Sequence, residues 1–133
     1  MKPMPRLVKD FVRRAPVCRV ATVQPNGKPY VGPVCHVFDG TFVYIDVAPN
    51  GKTATGVKEN GRITLTIDDY YQNWRRLKGV IIEARAHQAR GEAKKKAWRM
   101  IRRKFPQSVK AEWDPRLTLV LKIEDWSEWG VIG

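Results

Sequence analysis

The sequence predicts a mainly β protein, a small six-stranded antiparallel β-barrel with two flanking helices. Three observations carry that prediction. Six short runs alternate apolar with polar residues or are rich in β-branched and aromatic ones; Asn26-Gly27, Asp39-Gly40 and Asn60-Gly61 punctuate them; and only two longer segments hold a helical apolar period. A βαβ chain would instead follow each strand with a long helix.

At 133 residues the chain reads as one domain, residues 1–133, because domains typically run on the order of 100–150 residues. Its composition, 43% hydrophobic and 29% charged, is that of a globular chain, without repeats or low-complexity linkers. No apolar run approaches the ~20 residues of a membrane helix, and "MKPMPRLVKD" lacks the apolar core of a signal peptide. The expected location is the cytoplasm.

The first helix is expected between Pro5 and Ala15, where Leu7, Val8, Phe11 and Val12 recur at helical spacing. "VCRVATV" and "KPYVGPVCHVF" then form a hairpin across Asn26-Gly27. A two-residue turn there pairs Pro25 with Lys28 and, further along, Cys18 with Cys35. Pro29 and Pro33 then fall at non-hydrogen-bonded positions, where a missing N–H costs the ladder nothing. In this register a cross-strand disulfide is geometrically conceivable, whereas a reducing cytoplasm favours two small buried thiols.

Asp39-Gly40 turns the chain into "TFVYIDV". "TATGVKENG" is a polar segment of one or two helical turns ending at Asn60-Gly61. "RITLTID" and "GVIIEARAHQ" are strands joined by the aromatic, basic "DYYQNWRRLK". The second helix spans Glu92 to Phe105, "LTLVLKIEDW" is the last strand, and "SEWGVIG" is a tail.

The formal net charge of +12, from 25 Lys and Arg against 13 Asp and Glu, predicts an anionic partner. The second helix concentrates it in Lys94, Lys95, Lys96, Arg99, Arg102, Arg103 and Lys104. Such a run reads as a nucleic-acid face or as the solvated side of an amphipathic helix. The absence of a recognition-helix, RRM or zinc-finger pattern favours the solvated side. The two cysteines lack the clustering of a structural zinc site, and no metal is expected. His36 and His87 form no dyad in sequence, and no Ser–His–Asp order, Walker sequence or GxGxxG follows a strand. Trp74, Trp126 and Trp129, in a loop and a tail, are candidates for stacking on a planar ligand; Trp98 reads as core or a partner contact.

The stretch "FVYIDVAPNGK" ends a strand in a tight turn that delivers Lys52, a ready way to hold an anion. Together with "RVATVQPNGKPYVGPVCHVFDG", "ENGRITLTIDD" and "WRRLKGVIIEARA", it resembles the FMN-binding split-barrel family of the pyridoxamine 5'-phosphate oxidases. The likeness runs from about Phe11 to His87 and more weakly to Trp129.

The resemblance implies that Lys52 and Asn50, with Gly51 and Thr53 beside them, grip the flavin phosphate. Pro33, Val34, Cys35 and His36 would line the isoalloxazine, with Asp46 and Val47 near it. Gly51 stands where the family usually has arginine, and Asp46 where it has threonine or serine. Family members are homodimers with cofactor sites across the interface, so Trp74, Arg76 and Lys78 would come from the two-fold partner, with Arg76 or Lys78 near the ring's pyrimidine edge.

The implied function is hydride transfer between a small substrate and bound FMN, with a deazaflavin as the nearest variant and no protein acid or base required. Without the C-terminal Arg-x-His of the full oxidase, vitamin B6 synthesis is not expected. Two other readings stay open: a basic module binding nucleic acid or phosphates through the second helix, and a split barrel without its cofactor.

Overall fold

In the computed structural model, which describes residues 1–109, 116–130 and 132, six strands close into an antiparallel barrel. They are β1 (Val17–Val23), β2 (Pro29–Phe38), β3 (Phe42–Val47), β4 (Arg62–Asp69), β5 (Lys78–Gln88) and β6 (Leu117–Gly130), in the spatial order β1-β2-β3-β6-β5-β4. Closure gives every strand a neighbour on both sides and confines unpaired edge to the stretch where β2 and β3 part. Alternation sends Val20, Ile45, Leu65, Ile82 and Leu121 inward, where all are fully buried in one core. Each such side chain stabilises the fold by about 1.5–3 kcal/mol.

Three helices decorate the barrel rather than the two expected: α1 (Arg6–Arg14), α2 (Lys52–Asn60) and α3 (Gly91–Lys104). α1 buries Val8, Phe11 and Val12 in the barrel core. α2 occupies the segment expected to make one or two turns, and in isolation nine residues would be marginal. Tertiary contact sustains it. Thr53, Ala54, Gly56 and Val57 are buried, and a Cβ on Gly56 would meet Thr22 Cβ at 2.7 Å, so β1 and α2 approach as closely as glycine allows. Gly61, at φ 72°, ends the helix in the left-handed region.

α3 lies outside the barrel on β2, β3 and β6. Val37, Tyr44 and Val120 form one row across those strands and pack with Ala97, Ile101 and Phe105 of the helix.

The first hairpin departs from expectation by one residue. Gln24 N–H donates to Lys28 C=O (2.9 Å) and Gly27 N–H to Gln24 C=O (2.8 Å), so the loop holds three residues and Cys18 faces Val34, not Cys35. An Asn-Gly turn of the two-residue kind needs positive φ at Asn26. Here only Gly27 takes it (φ 85°), with Pro25 leading into an ordinary turn.

A shift of one residue sends the two cysteines to opposite faces: Cys18 is buried, Cys35 is exposed, and both are free. Burial pushes the Cys18 thiol up to about 12. The prolines could not reveal the shift, because the parity of β2 measured from Lys28 is the same in both registers.

The first part of the expected tail, Ser127 to Gly130, is strand. β6 continues to Gly130 in register with β5, and Trp126 is core, its Nε1–H donating to Lys2 C=O (3.0 Å). Trp129 lies over Gly79 of β5, where a Cβ would stand 2.5 Å from the indole. Trp113 lies outside the described residues. Among the described residues, no helix is long and apolar enough to cross a membrane.

Candidate cofactor site

β2 and β3 pair only from His36 to Phe38 against Val43 to Ile45. Beyond those pairs the strands splay, leaving the earlier part of β2 and the end of β3 without each other. That split opens a cavity of about 860 Å3, within the ~300–1,000 Å3 of small-molecule sites. Pro33, Val34 and Cys35 line one side; Asp46, Val47 and Ala48 line the other. Pro33 and Cys35 sit at non-hydrogen-bonded positions against β1, so their backbone polar groups point toward the split.

At one end of the cavity are Gly51, Lys52 and Thr53, the start of α2. Gly51 is the N-cap, without a side-chain cap, and no acidic residue occupies the first turn. The helix therefore presents unsatisfied N–H groups and the positive end of its dipole, with one lysine added. Lys52 Nζ lies 5.5 Å from the Tyr30 ring centroid, and its carbonyl accepts from Gln24 Nε2 (2.8 Å). A Cβ on Gly51 would stand 3.3 Å from Ala48 O, so the turn that leaves β3 is tight at this point.

The opposite end comes from α3 and the turn after it. Trp98, Ile101, Arg102 and Phe105 line it, followed by Gln107 and Ser108. Sequence reasoning placed the basic helix apart from any flavin site. The signal that could have linked them is the i, i+3, i+4, i+7 spacing of Trp98, Ile101, Arg102 and Phe105, one stripe of the helix.

Trp98 Nε1–H donates to Thr118 Oγ1 (3.1 Å), whose hydroxyl donates to Asp46 Oδ1 (2.6 Å). This chain ties α3 to β6 and β3 across the cavity wall. Burial raises the Asp46 carboxyl above its usual range, against the opposing pull of Thr118 and of the cations Arg116 and Lys94.

His36 is not among the lining residues. Alternation turns it inward, fully buried, with Nε2 2.8 Å from Val12 O and Nδ1 without a partner among the described residues. Burial lowers its pKa to about 4; the Val12 carbonyl opposes the shift and the Lys104 ammonium adds to it.

Lys104 donates to Ala15 C=O (2.6 Å) and His36 C=O (2.8 Å). One more step of the β1–β2 register would set Pro16 opposite His36. Proline has no N–H to offer there, and the lysine takes its place. Burial lowers the Lys104 pKa to about 8.

Asn50, Trp74, Arg76 and Lys78 do not line the cavity of the same chain. Trp74 is 73% exposed, and the Arg76 guanidinium sits 4.2 Å from the Tyr71 ring centroid, with Lys78 Nζ 6.0 Å from the same ring. Among the described residues no cluster of His, Cys, Asp and Glu could hold a metal ion.

A split antiparallel barrel with a ligand-sized cavity in the split, and a lysine-bearing helix N-terminus at one end, places the chain in the split-barrel class. The chain belongs to the pyridoxamine 5'-phosphate oxidase family, whose model matches residues 4–130. A search of curated proteins gives no match.

Among solved structures, a conserved hypothetical protein from Mycobacterium tuberculosis superposes with a TM-score of 0.80 at 18% identity, over 96% of this chain and 85% of that one. The heme storage protein HutZ from Vibrio cholerae gives 0.77 at 14% identity, over 98% and 95%. An FAD-binding protein from Mesorhizobium loti gives 0.71 at 20% identity, over 90% and 87%. At these identities the likeness is one of fold.

Proposed function

We propose that the chain is a homodimeric FMN-binding oxidoreductase that transfers hydride between a small substrate and the bound flavin. The observation that carries this reading is the uncapped start of α2, with Lys52, opening into the cavity at the β2–β3 split. Unsatisfied N–H donors, a positive dipole and one mobile ammonium are what a phosphate group requires. Gly51 supplies no cation where the family usually has one, which leaves Lys52 as the charged group of this turn.

The residues present fit a flavin. Phosphate would be held by Lys52, Thr53 and the backbone of Gly51, and the ring by the unpaired edge of Pro33 to Cys35 and by Val47. When bound, the flavin supplies the hydride chemistry; the chain supplies binding, orientation and exclusion of water. The raised Asp46 carboxyl would face the ligand's polar edge as acceptor or, when protonated, as donor.

Haem is the competing group, given a neighbour that stores it. It would want an axial ligand. Neither histidine lines the cavity; Tyr30 and Cys35 are the residues of ligand type that do.

The homodimer rests on the outer face of β2-β1-β4-β5-β6. The register places Pro33, Arg19, Thr66, Ile81 and Ser127 in one outward row, beginning at the cavity. Val31, Ile81 and Trp129 are exposed large apolar residues on this surface. A second copy there would bring its Trp74, Arg76 and Lys78 toward the open side of the cavity. Sedimentation of the full chain should give a dimer at micromolar concentration; a monomer would remove this part of the proposal.

The cofactor test is titration of FMN, followed by absorbance and quenching of flavin fluorescence, with a deazaflavin and haemin as parallel ligands. FMN is expected to bind, and Lys52→Ala to weaken it roughly 10- to 100-fold, as expected for a charge-assisted contact of about 1.5–3 kcal/mol. FMN binding that ignores Lys52→Ala, or haemin binding where FMN does not, would overturn the reading.

A further inference from the structure

The cations of α3 divide by direction. Ala97, Ile101 and Phe105 pack on the barrel, Arg102 lines the cavity beside Trp98, and Lys104 is tied to Ala15 C=O and His36 C=O. On the flank away from the cavity, Lys96, Arg99 and Arg103 follow one another at i, i+3 and i+7, all exposed, with Lys95 beside them. This row runs for about 10 Å along the helix.

The end of α1 meets that flank. Lys96 Nζ donates to Asp39 Oδ2 (2.7 Å) in the β2–β3 turn, and a Cβ on Gly40, the next residue of the turn, would stand 3.5 Å from Arg13 Nη2. Lys104, at the end of α3, reaches Ala15, the residue after α1. Arg13 and Arg14, both exposed, therefore border the same surface as Lys96, Arg99 and Arg103.

Helix dipoles account for the basic last turns of α1 and α3 but not for Lys95 and Lys96, which stand in the first half of α3, nearer its positive end. Along α3 seven Lys and Arg accompany one Glu, whereas Asp68, Glu83, Glu124, Asp125 and Glu128 are exposed on the β4-β5-β6 wall. Asp10, Asp39 and Glu92 pair with Arg13, Lys96 and Lys95. Arg14, Arg99 and Arg103 make no ion pair among the described residues, and a polyanion would relieve the repulsion among them.

The exposed large apolar residues lie elsewhere, Trp98 on the cavity side of α3 and Leu7 in the first turn of α1 among them. Stacking on unpaired bases and insertion into lipid both use such side chains. The phosphate backbone of a duplex needs only cations.

We infer that the flank of α3 carrying Lys96, Arg99 and Arg103, together with Arg13 and Arg14 of α1, is a docking surface for the phosphate backbone of a nucleic-acid duplex, bound without regard to sequence. The row of about 10 Å spans roughly three successive phosphates of one strand, at 3.4 Å of axis each. None of these residues lines the cavity, so the surface stands or falls independently of the cofactor.

The test is fluorescence anisotropy of a labelled DNA duplex of about 20 base pairs, titrated with the full chain at sodium chloride between about 50 and 200 mM. Arg99→Gln with Arg103→Gln is compared with Lys28→Gln with Arg62→Gln, which removes the same charge from the opposite end of the barrel, at the first hairpin loop and the start of β4. Circular dichroism checks that each variant is folded. The single strand and vesicles of phosphatidylcholine with phosphatidylserine are run in parallel.

The logarithm of the affinity should fall with the logarithm of salt at a slope of about −3 to −4, as for neutralisation of about four phosphates. The α3 pair should weaken duplex binding about ten-fold or more at the lowest salt and flatten the slope by about 2, while the control pair weakens it less than about three-fold. FMN titration should give the same result in the α3 pair as in the parent. Equal losses in the two variants overturn the surface, because net charge alone would then account for binding. Absence of duplex binding at the lowest salt overturns it as well. Tighter binding of the single strand than of the duplex overturns the duplex assignment, and vesicle binding that depends on Arg99 and Arg103 where duplex binding does not would give the face to a membrane instead.

Discussion

The barrel has a closed side and a split side, and the same alternating strand pattern serves opposite ends on the two. On the closed side β5 pairs with β4 from Lys78 to Arg85 and with β6 over its whole length, broken only by an irregularity at Glu83/Ala84. On the split side β2 runs from Pro29 to Phe38 but meets β3 only at His36 to Phe38. Paired backbone is stable and chemically silent. Unpaired backbone is costly unless something meets it, which is why the cavity, the start of α2 and the stripe of α3 all gather where pairing stops.

The largest expected effect breaks the comparison on the closed side. Leu121 is fully buried in the barrel core, and Leu121→Ala should cost about 2–5 kcal/mol of unfolding free energy by urea titration. FMN affinity of the folded fraction should stay unchanged, because Leu121 does not line the cavity. A large loss of affinity at intact folding would show that the two sides are not separable.

Acid should act through the split side. His36, at the last β2–β3 pair, is held neutral with its pKa near 4, below the ordinary 6.5. Between those values the unfolded chain takes up a proton that the folded chain refuses, so stability falls as pH drops from 6.5 toward 4, by at most about 3 kcal/mol. Asp39 works in the same direction: burial raises its pKa, but Lys96 and the N–H groups of Phe42 and Thr41 bring it below the usual carboxylate value. Urea midpoints at pH 7 and 4.5 should converge in His36→Gln relative to the parent. An equal acid loss in both proteins would assign the effect to carboxylates alone.

The smallest effect sharpens the closed side. Gly79→Ala places a methyl 2.5 Å from the Trp129 indole, which must move, at a cost of about 1–3 kcal/mol. The double variant Gly79→Ala with Trp129→Ala should recover most of the strain part of that loss in a double-mutant cycle. If it does not, Trp129 packs elsewhere.

Much of this was legible in the sequence because it rests on local chemistry. β-Branched alternation marked all six strands, Gly61 marked the end of α2, and the Pro49-Asn50-Gly51-Lys52 turn marked the lysine-bearing end of the cavity. The errors have local causes too. Pro25 and the φ limit at Asn26 lengthened the first loop by one residue and parted the cysteines, while "SEWG" was too polar to read as a strand although β5 offered it a partner.

By itself the sequence determined where the six strands lie, most of their turns, and that a lysine follows the turn after β3, since these follow from side-chain period and backbone preference within a few residues. Only the tertiary structure decided that His36 points inward while Cys35 faces the split, and that Trp98 and Arg102 share a cavity with Lys52. Those facts depend on register and on packing between residues far apart in the chain. A one-residue shift or a helix rotation changes them without altering any local preference.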